Sequence, residues 1–72
     1  VSREALDAAL IAAHARGDHR ALVGLYERAA DAHPGSEAGW FYLTHAYVFA
    51  LETGHEAAAR LRARLLAGGR ET

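Results

Sequence analysis

The 72-residue chain has no cysteine, so disulfides and thiolate metal sites are excluded. It has no methionine, even at position 1, which reads as a processed start or an excised piece. Lysine is absent and all eight basic residues are arginine. With the abundant alanine, that bias suggests a GC-rich bacterial source. No run of 18 apolar residues is present, so no membrane span is expected. The N-terminal segment is acidic and Ala-rich, unlike a signal peptide, and the cytoplasm is the default expectation. Nine acids against eight bases give a formal charge of -1, without the basic footprint of a nucleic-acid binder. A chain this short forms one domain at most, expected over residues 1–72, and buries only about 60% of its unfolded surface. Without covalent staples, packing against a partner or a second copy gains weight.

What is present is helical periodicity. The stretch from Gly39 to Phe49 holds the sole Trp, both Phe and two of the three Tyr. Its apolar residues Trp40, Leu43, Tyr47 and Leu51 follow helical spacing. Phe41, Val48 and Phe49 lie on another side, so this helix is expected in the middle of the molecule. Around it, the punctuation predicts three more helices. Ser2 is placed to cap the first, whose stripe is Leu6, Ala9, Leu10 and Ala13, and Gly17 ends it. Asp18 caps the second, with Leu22, Leu25, Tyr26 and Ala29 inward and Glu27, Arg28 and Asp31 towards water. Gly24 inside it suggests a close helix crossing, and His33-Pro34-Gly35 ends it. Ser36 caps the third and Gly54 breaks it; the fourth puts Ala58, Leu61 and Leu65 inward, with Glu56 and Arg60 as an i, i+4 pair. The expectation is an all-α fold of four antiparallel helices, at about 2–16, 19–33, 36–53 and 55–67, with Gly68 to Thr72 a frayed tail.

A shift of 34 residues lays Leu6 on Trp40, Ala9 on Leu43 and Ala13 on Tyr47. The third helix reads Trp40-x2-Leu43-Thr44-x2-Tyr47, and the second reads Leu22-x3-Tyr26-x2-Ala29-x4-Pro34. Together with the Gly17-Asp18-His19 turn, these resemble the tetratricopeptide repeat family, with Thr44 where that signature has Gly. The resemblance implies two stacked helix-turn-helix repeats, about 3–36 and 37–69, in a right-handed superhelix. The second repeat departs from the pattern, because Gly54 falls about three residues late. The resemblance further implies a concave groove for a peptide or protein segment. Its positions would be Asp7, Ile11 and His14 on the first helix, and Phe41, His45, Val48 and Phe49 on the third. Trp40, Leu43 and Tyr47 would face the repeat interior. The Lys, Asn and Arg of a carboxylate clamp have no counterpart at these places.

The function expected is protein–protein interaction or scaffolding through that apolar, aromatic face. The competing reading is a self-associating helical bundle, such as a homodimer, serving as a structural accessory subunit. A metal role for His14, His19, His33, His45 and His55 was weighed through His14 with Asp18 and Glu52 with His55, but no HExxH pattern supports one. No nucleophile elbow or phosphate loop is present, so no enzyme, cofactor, small-molecule substrate or catalytic residue is expected. Arg60, Arg62, Arg64 and Arg70 are expected to spread around a solvated helix face.

Overall fold

Four helices make up the computed structural model, which describes residues 3–69: α1 (Arg3–Ala15), α2 (His19–Asp31), α3 (Glu37–Thr53) and α4 (Ala58–Ala67). No strand occurs among the described residues. Ser2 and Arg70 lie outside them, so the expected first cap and the tail beyond Gly69 are not described.

The boundaries follow from local chemistry. Gly17 and Gly54 take left-handed backbone, φ 65° and 63°, at the ends of α1 and α3. In each case the next N–H reaches back five residues, from Asp18 to the Ala13 carbonyl at 2.9 Å and from His55 to the Ala50 carbonyl at 2.8 Å. A side chain at either glycine would strain this closure. Asp18 Oδ1 accepts the Ala21 N–H at 3.1 Å, and Ser36 Oγ accepts the Gly39 N–H at 3.1 Å, so both expected caps form.

Two ends differ from expectation. α2 stops at Asp31, two residues before His33, because the frame tightens ahead of Pro34 and the His33 N–H bonds the Ala30 carbonyl instead. α4 starts at Ala58 and not at residue 55. Leaving Gly54, the chain makes a turn in which the Ala57 N–H donates to His55 Nδ1 at 3.0 Å.

Consecutive helices pack in pairs, α2 on α3 most extensively, with α1 against α2 and α4 against α3. The molecule is a flattened body of 31 × 26 × 15 Å. Its short dimension matches two helix layers with axes about 10 Å apart. The core is drawn from α2, α3 and the start and inner face of α4: Val23, Ala30, Leu43, Ala46, Ala50, Ala57, Leu61 and Leu65. On α3 the buried line is Gly39, Leu43, Ala46 and Ala50, mostly small residues. Small side chains sit where neighbouring helices come closest, and the bulky rings of Trp40, Tyr42, Tyr47 and Phe49 flank them, half-buried. The burial centre is therefore shifted one residue from the expected Trp40–Leu43–Tyr47 line, and Leu51, expected inside, is 58% exposed.

Two contacts fix this arrangement. A Cβ on Gly39 would lie 2.1 Å from the His33 carbonyl oxygen, so only glycine lets α3 start so close to the end of α2. The Trp40 ring covers the end of α4, where a Cβ on Gly68 would lie 2.1 Å from Cη2. Gly24, by contrast, is exposed with open space where a side chain would go, so the close crossing expected there does not exist. Val23 and Ala30 were missed as core because α2 is covered by α1 on one side and by α3 on another.

Charges tie α4 to α2. The Glu27 side chain, expected in water, is only 13% exposed and accepts from both Arg60 and Arg64, the latter at 2.9 Å. Arg64 also donates to Asp31 at 2.8 Å. Burial lowers the Arg64 pKa, but the hydrogen bonds it donates to Asp31 and Glu27 outweigh it and hold the guanidinium above its ordinary value. Arg60 thus serves α2 and not its expected partner Glu56, which instead accepts from Arg20 at 3.0 Å. Two of the four arginines expected in water are cross-braces between helices.

Candidate interaction surface

The side chains at Phe41, His45 and Phe49 recur every four residues, so α3 carries them as one row. α3 satisfies its own polar groups along this row. His45 Nδ1 lies 3.0 Å from the Phe41 carbonyl, and Thr53 Oγ1 donates to the Phe49 carbonyl at 2.8 Å. A carbonyl only accepts, so His45 Nδ1 donates in this contact. The row therefore needs no further polar partner to be stable, and its rings remain available for packing.

The row is organised by a residue that the sequence reading assigned to the core. Tyr26 of α2 lies 5.3 Å from the His45 ring centre, 5.9 Å from Phe49, stacked, and 6.1 Å from Tyr42, also stacked. From α1, His14 Nε2 lies 2.8 Å from Tyr26 Oη, and its ring meets Phe49 edge-on at 6.1 Å. Burial first, and then the Tyr42 phenol, raise the Tyr26 pKa. Its hydroxyl stays protonated and can donate to His14. Phe41 closes the row against His45 at 4.3 Å and Tyr42 at 5.9 Å. His19 packs on Phe49 at 5.0 Å and holds Glu52 through Nδ1.

Four of the six candidate groove residues, His14, Phe41, His45 and Phe49, are thus brought into one ring cluster. Ile11 and Val48 join it through no ring contact but stand out from the same helices, 71% and 52% exposed. Phe41 is 58% exposed at its outer end. Tyr26 and Tyr42 were missed as members. The four-residue spacing from Leu22 to Tyr26 carries the same signal for a core residue and for the floor of a groove.

The His14–Asp18 and Glu52–His55 pairs are separated by their local partners. Asp18 caps α2 and pairs with Arg16 at 3.3 Å, while Glu52 turns to His19 and His55 bonds the Ala57 N–H. No set of three metal-ligating side chains gathers among the described residues. No described helix is long and apolar enough to cross a membrane.

Beyond the ring cluster, the space between α1 and the α2–α3 pair opens into a cleft of about 580 Å3. Leu6, Leu10, Ala29, Ala32 and Tyr42 supply its apolar walls. Comparison with protein-family models, with curated proteins and with solved structures finds no match for the chain.

Proposed function

We propose that this chain is a protein–protein interaction or scaffolding module of tetratricopeptide-repeat type, whose work is binding and not catalysis. The ligand is an amphipathic helix or peptide received by the face of Ile11, His14, Phe41, His45, Val48 and Phe49. The observation carrying this reading is the exposure of Ile11, Phe41 and Val48 on the helices α1 and α3 that contribute to the ring cluster. Large apolar groups held outward by a rigid base lose little freedom on binding. A helix with apolar residues at i, i+3 or i+4, and i+7 could lay its stripe along them. The second ring nitrogen of His45, outside the bond to Phe41, offers one polar contact for orientation.

A selection of amphipathic helical peptides on the purified protein, mapped by NMR shifts, tests this. Selected peptides are expected to shift Phe41, His45 and Val48, and Phe41→Asp is expected to abolish binding while leaving the fold intact. Peptides that bind with Phe41→Asp unaffected would contradict the proposal. Sedimentation at two concentrations checks the competing reading: self-association that Phe41→Asp abolishes assigns the face to a second copy.

A further inference from the structure

The cleft between α1 and the α2–α3 pair has a charge pattern that the peptide-binding face does not explain. Four arginines have a carboxylate within 3.3 Å: Arg16, Arg20, Arg60 and Arg64. Arg3, Arg28 and Arg62 have none within 4 Å among the described residues. Two of those three, Arg3 and Arg28, line the cleft. Asp7 is the one carboxylate among its lining residues. The cleft thus combines apolar side chains with a single acid and two guanidinium groups that have no ion pair among the described residues. The His33 and Tyr42 rings, 5.9 Å apart and tilted by 38°, also line it.

We propose that this cleft is a second site, for a small amphiphilic monocarboxylate with an alkyl or aryl body. Its volume of about 580 Å3 suits a small molecule. A docked helix, about 10 Å across, would lie outside it. The body replaces water over Leu6, Leu10 and Ala32, and the carboxylate meets Arg28 and Arg3, whose planar forks match two oxygens. Asp7 repels a second negative charge, which favours a monoanion over a phosphate dianion. This inference does not depend on the peptide-binding proposal, since it uses none of the six face residues.

The test is titration of the full chain with decanoate, decanol and decyl phosphate below their aggregation limits, followed by NMR. Decanoate is expected to shift Leu6, Leu10, Ala29 and Tyr42, to bind about tenfold more tightly than decanol, and to weaken with added salt. Decyl phosphate is expected to bind more weakly than decanoate. Arg28 is exposed, so Arg28→Gln leaves the fold intact; it is expected to weaken decanoate about tenfold. Arg62→Gln, which removes the same charge away from the cleft, is expected to change nothing. The proposal is overturned if decanoate fails to bind, if decanol or decyl phosphate binds as well, or if Arg62→Gln acts like Arg28→Gln. Shifts centred on Phe41 and Val48 would also overturn it.

Discussion

The three helices α2, α3 and α4 share one interior, whereas α1 lies against it with Ala13 as its one buried residue among those described. The difference comes from side-chain size. α3 and α4 meet through Leu43, Leu61 and Leu65 set among alanines, so large groups fill the spaces that small ones leave. α1 offers alanine at Ala9 and Ala13 and sets Leu6 and Leu10, half-buried, over a cleft. It is fastened mainly at its C-terminal end, by Ala13 and by His14 on Tyr26. A helix can be well formed yet loosely attached, and here the loose attachment coincides with the candidate binding surfaces.

The largest expected effect contrasts one leucine from each region. Leu61 is fully buried in the shared core and Leu10 only half-buried. Leu61→Ala is expected to cost about 3 kcal/mol and Leu10→Ala about 1 kcal/mol in urea unfolding. A domain of this size has roughly 4–11 kcal/mol in all, so the first change leaves it close to unfolding. Equal costs would erase the contrast between regions.

The next effect lies on the α2–α4 brace. Glu27→Ala leaves Arg60 and Arg64 without their shared acceptor and is expected to cost about 1–2 kcal/mol, limited by the exposure of both arginines. The loss is expected to loosen α4 and leave the α1 amides unchanged in hydrogen exchange. Loss of protection confined to α1 would contradict the separation.

The smallest effect is a pH dependence. The Glu56 carboxyl is held below its ordinary pKa by its own backbone N–H, then by the Arg20 guanidinium and by His55. A depressed carboxylate stabilises the fold above the unfolded pKa, and that contribution fades as pH falls through the lowered folded value. Arg20→Gln is expected to bring the Glu56 midpoint back towards the ordinary range in an NMR titration. An unchanged midpoint would remove Arg20 from this link between α2 and the turn before α4.

Much of this architecture is legible in the chain itself. Asp18, Ser36, Gly17 and Gly54 mark helix ends through their own backbone chemistry, and that chemistry is local. Four helices in an all-α fold follow from it. Facing is less legible because it depends on neighbours. Tyr26 packs against the core as its helical spacing says, but its spacing does not reveal that it is also the hub of the ring cluster. Glu27 looks solvated until α4 brings two arginines over it. Leu51 fits the apolar line of α3 but overshoots the small residues where its neighbours pack. The cleft was the hardest to foresee, since a gap is a property of facing helices and belongs to no single stretch.

Native-state hydrogen exchange read residue by residue tests the central claim, that α1 is a loosely held helix on a three-helix core. The account predicts that amides of Leu10 to Ala13 open at a free energy well below global unfolding, while those of Val23, Leu43 and Leu61 exchange only when the whole domain unfolds. Protection in α1 equal to that of Val23 and Leu43 would contradict it.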